Sequence, residues 1–301
     1  MHKQIGLVGL GKMGGNLSQQ LLRKSWEVIG YNRSCEKTDV LAGLGLKPAY
    51  SYDELIAHLS PPRLVWLMLP ASEVDDALGE LLGRLSRGDI IVEAGNSFYK
   101  ATARRYDLIS PKGVHFIDVG VSGGPDSMLN GTCLVVGGDQ EMFTYLEPLY
   151  RDVTVEGGYH FFPGRGAGHF VKMLHNGIEY GMMQAIAEGL AVAKASPYGV
   201  KASDVAHVLN SGSILQSSLL TYLCKGFEQW GEELDTVSGS VEQTGEGEWT
   251  VEAAKELGLD VPVLEDAVAF RKASQSTPSY TGKMLSAMRG QFGGHVVATK
   301  K

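Results

Sequence analysis

A chain of 301 residues with 44% hydrophobic residues and no long low-complexity stretch can bury one large core or two ordinary ones, which excludes general disorder. Its formal charge of −7, from 27 Lys+Arg against 34 Asp+Glu, comes without a like-charge block, so neither a nucleic-acid footprint nor a polybasic membrane patch is present. No apolar run approaches the roughly 18 residues of a membrane span, and Cys35, Cys133 and Cys224 form no C-x-x-C pair, so a soluble, cytoplasmic protein without disulfides or a metal site is expected.

From Lys3 to about Phe162 short apolar runs alternate with helical patterns, the rhythm of βαβ units around a parallel sheet. Strands are predicted at Gln4 to Gly9, Glu27 to Tyr31, Leu64 to Leu69, Asp89 to Glu93, Val114 to Asp118 and Cys133 to Gly137. Helices are predicted between them at Met13 to Lys24, Ser34 to Leu44, Glu73 to Leu85 and Thr102 to Ile109.

Gly9-Leu10-Gly11-Lys12-Met13-Gly14 follows the first strand and opens the first helix. In this G-x-G-x-x-G the glycines suit a tight turn, close approach of a pyrophosphate and close helix packing, with the phosphates on the helix N-terminus. A Rossmann-type doubly wound domain is therefore expected over residues 1–164, with Gly9, Gly11, Met13 and Gly14 against the dinucleotide. At the end of the second strand the chain reads Tyr31-Asn32-Arg33-Ser34, where an enzyme using NAD usually presents an acid. Arg33 can pair with a 2′-phosphate that a carboxylate would repel, so NADP is favoured over NAD, with Asn32 and Ser34 beside it.

Gly120-Val121-Ser122-Gly123-Gly124 matches the nucleophile elbow of hydrolases, but Gly123-Gly124-Pro125-Asp126 reads as a loop where the elbow needs a helix. A cradle for a substrate carboxylate suits the serine and glycines better, beyond the carboxyl end of a strand. After Gly166 the strand rhythm stops. Helices are predicted at about Gly168 to Ala195, Ser203 to Asn210, Ser217 to Trp230, Thr250 to Gly258, Val263 to Ser276 and Thr281 to Met288, an all-α domain over residues 165–301 with a cleft expected beside the first.

On the first of these helices Lys172, His175, Asn176 and Glu179 stand at i, i+3, i+4 and i+7 and line one face, among apolar neighbours Phe170, Val171, Leu174, Ile178 and Met182. A polar stripe on a helix apolar elsewhere must face a cleft or stay unsatisfied. It offers Lys172 as a base and Glu179 as an acid in one place. The histidines do not suggest a metal, since His169 and His175 point to different faces.

Gly166-Ala167-Gly168-His169-Phe170-Val171-Lys172-Met173-Leu174-His175-Asn176-Gly177-Ile178-Glu179-Tyr180 resembles the helix motif of the 6-phosphogluconate dehydrogenases, within the β-hydroxyacid dehydrogenase superfamily. Gly95-Asn96-Ser97, Ser122-Gly123-Gly124-Pro125, Gly245-Glu246-Gly247-Glu248-Trp249-Thr250 and Arg289-Gly290-Gln291-Phe292-Gly293-Gly294-His295 extend the resemblance along the chain. It implies oxidative decarboxylation of 6-phosphogluconate to ribulose 5-phosphate with reduction of NAD(P), in the pentose phosphate pathway. It further implies Lys172 as general base, Glu179 as general acid, and Asn96, Ser122, Gly123, Gly124, His175 and Asn176 against the sugar acid. Tyr180, Arg271 and Arg289 are then expected on the phosphate, with His295 a further contact from the C-terminal tail. The long members carry a Lys where Thr244 stands, and the chain resembles a short branch in which many members prefer NAD. A homodimer, or a tetramer of dimers, is expected in which Arg289 and His295 reach the partner's cleft. The alternative is another β-hydroxyacid dehydrogenase, of the hydroxyisobutyrate or tartronate semialdehyde type; a nucleotide-binding protein without catalysis would not need Lys172 and Glu179 on one stripe.

Overall fold

The computed structural model describes residues 2–293 and Val297, and the chain divides into two compact units, Met1–Lys172 and Met173–Lys301. The strands of the first unit are β1 (Gln4–Val8), β2 (Glu27–Tyr31), β3 (Lys47–Ala49), β4 (Leu64–Leu67), β5 (Ile90–Glu93), β6 (His115–Ser122), β7 (Thr132–Gly138) and β8 (Thr154–Pro163). They lie in the order β3-β2-β1-β4-β5-β6-β7-β8. Pairing is parallel from β3 through β6, antiparallel between β6 and β7, and parallel again between β7 and β8.

This is the expected doubly wound α/β sheet, extended by strands of reversed direction. Its helices are α1 (Lys12–Arg23), α2 (Cys35–Ala42), α3 (Tyr52–Ala57), α4 (Val74–Leu82), α5 (Tyr99–Ile109), α6 (Gly124–Asn130) and α7 (Gln140–Val153). Successive strand residues point to opposite faces, so Leu7 and Trp66 join one core with Leu17, Leu21, Leu146 and Leu149. Val8, Val65 and Leu67 join another with Leu55, Val74, Leu78 and Tyr106. Burial of each large apolar side chain contributes about 1.5–3 kcal/mol, enough to hold the strand register against slippage.

Several elements lie outside the sequence prediction. β3 contains Pro48 and β8, with Gly157 and Gly158, buries none of its residues fully; both are edge strands, which need neither every ladder donor nor a strong apolar pattern. α6 starts inside the Gly-Gly-Pro segment read as a loop, because Pro125 is compatible with a first helical turn. α7 tolerates Pro148 while burying Met142, Leu146, Leu149, Tyr150 and Val153 along one face.

The contact that positions the chemistry is the landing of α8 (Ala167–Ala195) on the sheet. The fully buried carboxylate of Asp118, on β6, accepts the N–H groups of Gly166 at 3.1 Å and His169 at 2.8 Å, satisfying donors that the first turn of a helix leaves open. Burial pushes the Asp118 carboxyl up, opposed by these backbone donors and by His169. A Cβ on Gly168 would lie 2.6 Å from the Asp118 carbonyl and 2.7 Å from the Gly137 nitrogen, so helix and strand backbones touch without side chains between them.

The second unit contains the rest of α8 with α9 (Ala202–Leu209), α10 (Ser218–Trp230), α11 (Glu246–Glu256), α12 (Pro262–Ser274) and α13 (Tyr280–Gly293). Its core gathers Met183, Ala187 and Leu190 of α8 with Ala202 and Ala206, Leu220, Leu223 and Phe227, and Met284, Leu285, Ala287 and Met288. α11 packs on α8 where Gly177 leaves room for Thr250, whose hydroxyl donates to the Met173 carbonyl at 2.9 Å.

Gly168→Ala is expected to destabilise the protein by about 1–3 kcal/mol, because the added methyl must push α8 off the sheet. A thermal melt of the variant that superimposes on the parent's would show slack in this contact.

Candidate active site

At the end of β1 the backbone turns at Gly9, with φ of +95°, where a Cβ would strike the Met68 carbonyl. Gly14 in turn lies against the Gly9 carbonyl, which lets α1 start directly above the strand. Gly11 at the N-cap of α1 has nothing within 4 Å of its missing Cβ, and no side chain caps the helix. The first turn holds no acid. An open approach to an uncapped, positively polarised helix end fits the pyrophosphate of a dinucleotide. Met13 packs half-buried against the core beneath this turn.

Asn32 braces it. Its Oδ1 accepts the Leu10 N–H at 2.9 Å and its Nδ2 donates to the Ser34 carbonyl at 3.1 Å, tying the glycine turn to the end of β2. Arg33 is 86% exposed in its side chain and stands 3.6 Å from Glu73, while the Ser34 hydroxyl donates to Glu36 at 2.7 Å.

A buried network holds the next loop. Glu93, fully buried at the end of β5, accepts from the Ser97 hydroxyl at 2.6 Å and from Arg105 at 3.1 Å, and Arg105 donates onward to Asp75 at 2.8 Å. Gly95 and Ser97 are thereby fixed and Asn96 between them is presented outward. The Thr102 hydroxyl on α5 lies 2.8 Å from Nδ1 of His169 on α8, so the same network reaches the helix.

Ser122 ends β6, and Thr132 donates to its carbonyl. Gly123 follows with φ of +125° and α6 begins at Gly124, so a helix does come directly after the serine motif, contrary to the loop reading. The hydrolase elbow still does not form. It needs a strained serine, and among the described residues the non-glycine positions with positive φ are Ser25 and Leu234. Lys172 lies against Gly120, where a Cβ would overlap the lysine's own Cβ.

In the second unit His175 Nδ1 lies 2.9 Å from Asn176 Oδ1 and 3.8 Å from Glu179 Oε2. One residue on, the buried Tyr180 ring stacks on the guanidinium of Arg271, 3.5 Å from its centroid. Arg271 is 1% exposed and Arg289 8%. Burial pulls the Arg271 guanidinium down to about 10, Arg289 pulls the same way, and Tyr180, Glu179 and Glu246 oppose. Desolvated cations beside an aromatic ring have the chemistry to take an anion.

Two family models match in succession: the NAD-binding domain of 6-phosphogluconate dehydrogenase over residues 4–157, and the C-terminal domain of 6-phosphogluconate dehydrogenase over residues 168–282. The chain is 41% identical to YqeC of Bacillus subtilis, a candidate 6-phosphogluconate dehydrogenase, over 99% of this chain and 100% of that one. It is 34% identical to the NAD-dependent, decarboxylating 6-phosphogluconate dehydrogenase of Haloferax volcanii, over 99% of both chains. The chain belongs to the 6-phosphogluconate dehydrogenase family. The Plasmodium falciparum 6-phosphogluconate dehydrogenase, solved with its cofactor NADP+ and with its substrate, superposes with a TM-score of 0.83 at 27% identity, covering 95% of this chain and 70% of that one. Membership makes the protein an NAD(P)-dependent oxidoreductase.

Within this family the C-terminal residues carry much of the substrate reading, and here the structure corrects the sequence. Arg289 is not in a tail beyond the last helix: α13 continues to Gly293, and Arg289 is buried on it, within electrostatic reach of Arg271 and Tyr180. Met284, Leu285 and Met288 of the same helix are buried in the core. His295 lies outside the described residues. Ile178 and Met182, expected as apolar cover, are 56% and 46% exposed. Sequence reasoning missed Asp118, Glu93 and Arg105 as supports; the signal for the two acids is a lone carboxylate after an apolar run, Ile90-Ile91-Val92 and Phe116-Ile117.

Asn32→Ala is expected to weaken dinucleotide binding about tenfold, since it strips the buried Leu10 N–H of its acceptor at a cost of about 1–3 kcal/mol. Fluorescence titration with NADH and NADPH measures it, and unaltered affinity would show that the glycine turn holds itself.

Proposed function

We propose that the protein oxidises and decarboxylates 6-phosphogluconate, producing ribulose 5-phosphate and carbon dioxide while reducing NAD(P). The observation that carries this reading is that one continuous helix bears Lys172, His175, Asn176 and Glu179 on a single face, followed by Tyr180 stacked on a buried arginine. The residues read as base and acid thus stand on one helix with Tyr180.

The nicotinamide cofactor, when bound, accepts the hydride. Lys172 takes the proton of the hydroxyl β to the carboxylate, and the resulting ammonium then polarises the ketone while carbon dioxide leaves. Only a carbonyl at that position accepts the electron pair released from the breaking carbon–carbon bond. As carbon dioxide leaves, the Lys172 ammonium gives its proton to the oxygen to form the enediol; Glu179 then protonates the carbon that lost the carboxylate while Lys172 takes the hydroxyl proton back to complete the ketone, and proton exchange between the two groups and solvent restores both. His175 and Asn176 hydrogen-bond the hydroxyls, Asn96, Ser122 and the Gly123 and Gly124 backbone orient the carboxylate, and Tyr180, Arg271 and Arg289 hold the phosphate. A hydroxyisobutyrate-type substrate has no such terminal anion and would leave two buried guanidiniums without use.

Absorbance of reduced nicotinamide, with 6-phosphogluconate and hydroxyisobutyrate as alternative substrates, tests the reading. Turnover is expected with the phosphorylated sugar acid alone. Lys172→Met and Glu179→Gln should each lower kcat about 10²–10⁴-fold with cofactor binding intact, as the loss of an acid–base group does. Turnover of hydroxyisobutyrate alone, or near-parental kcat in both variants, would sink it.

Arg33, at the end of β2, is read as the contact to the 2′-phosphate and favours NADP. Arg33→Asp should raise the KM for NADP at least about tenfold more than that for NAD, the scale of one lost charge-assisted hydrogen bond. A parent enzyme with the lower KM for NAD would show the arginine to have no part in selection.

A further inference from the structure

The order of the sheet reverses at β1. β2 lies on one side of it and β4 on the other, and Val8, Tyr31 and Leu67 stand in register across the three parallel strands at their carboxyl ends. Such a reversal opens the crevice in which sheets of this kind take their ligands. The glycine turn leaves the middle strand, and the segments that leave β2 and β4 flank it. Arg33 belongs to the first of these segments and Glu73 to the second, yet Nη2 of the arginine stands 3.6 Å from Oε1 of the glutamate. An ion pair therefore joins the two sides of the crevice beyond the end of β1.

The fold makes no other use of this carboxylate. Glu73 ends the short 3₁₀ turn Ala71–Glu73 and occupies the N-cap of α4, but its side chain accepts nothing from the open N–H groups of that helix. The helix dipole is served instead by Asp75 and Asp76 in the first turn, and Asp75 is itself taken by Arg104 at 2.7 Å and Arg105 at 2.8 Å. Glu36, the acid nearest along the chain on the β2 side, accepts the Ser34 hydroxyl. Glu73 is thus the acid turned to Arg33, and a guanidinium paired with a carboxylate is less available to a phosphate that needs the same donors.

We propose that Glu73 tunes the choice between the two dinucleotides. It holds Arg33 in the unloaded protein; a cofactor with a free 2′-hydroxyl leaves the pair intact, whereas one with a 2′-phosphate must break it to reach the guanidinium. Glu73 accordingly lowers the advantage that Arg33 by itself would give to NADP. Selectivity is then a difference between an attractive group and a competitor placed against it, rather than the property of one residue. This rests on the reading of Arg33 as the contact to the 2′-phosphate. The two side chains are 86% and 41% exposed, so the effect is the size of an exposed ion pair, about two- to fivefold in an equilibrium constant.

Fluorescence titration of the full chain with NADPH and with NADH, in a buffer of low ionic strength, measures both dissociation constants without turnover. Glu73→Gln is expected to tighten NADPH about two- to fivefold and to leave NADH unchanged, the second titration showing that the variant is folded. An unchanged Kd for NADPH overturns the proposal, and so does an equal gain for NADH. The same substitution in an Arg33→Ala background should no longer tighten NADPH. A gain of similar size there would show that the carboxylate acts by bare repulsion and not by holding the arginine. Arg33→Ala alone separates the two readings. If it leaves the ratio of the two constants unchanged, the 2′-phosphate reading falls and this inference with it; if it weakens NADPH selectively while Glu73→Gln changes nothing, this inference alone falls.

Discussion

The hydrogen bonds from the Gly166 and His169 N–H groups to the Asp118 carboxylate fix where α8 begins, and Lys172 in its first turns inherits its position from them. A helix start carries unsatisfied donors and a positive electrostatic end, so a carboxylate placed beneath it is held twice over, by hydrogen bonds and by the helix dipole. Gly120, Gly137 and Gly168 remove the side chains that would keep the two backbones apart. Lys172 follows about one turn later and comes to lie on Gly120, two residues before Ser122 at the end of the same strand. His169 closes the arrangement from the other side, because Thr102 joins it to the network that fixes the Asn96 loop.

Both units keep charge in places where stability alone would not put it. Glu93 and Arg105 in the first, and Arg271 and Glu246 in the second, have each lost nearly all contact with water. The desolvation of such groups consumes most of what their pairing returns, so apolar residues of the same volume would fold at least as well. What the charges add is geometry. A guanidinium bonded to Glu93, Ser97 and Asp75 at once leaves the loop above it a single arrangement, and a guanidinium stacked on Tyr180 cannot swing away when an anion arrives. Preorganised donors of this kind need no rearrangement at the moment of binding.

Much of this was legible in the amino-acid order. Strands β1, β2, β4, β5, β6 and β7 coincide with apolar runs, the glycine fingerprint stands at the turn between β1 and α1, and the spacing of Lys172, His175, Asn176 and Glu179 places them on one face of a helix that does form. These are local properties: period, cap and turn depend on neighbours within a few residues, which a sequence states directly. The edge strands β3 and β8 were not legible, since an edge strand is defined by the strand it pairs with and its own pattern is weak.

The same division runs through the site. Residue chemistry and helical spacing by themselves placed a lysine and a glutamate on one helix face and marked a dinucleotide turn, and the resemblance carried by the helix motif named the family. Only the tertiary structure decided that Asn32 braces the glycine turn, that Arg289 belongs to a helix and is buried, and that Arg271 stacks on Tyr180. Each of these joins residues far apart in the chain, and nothing in a local pattern says which distant group a buried polar atom will meet. Folding decides it, because a polar group removed from water must find its partner wherever the packing of the apolar residues has placed one.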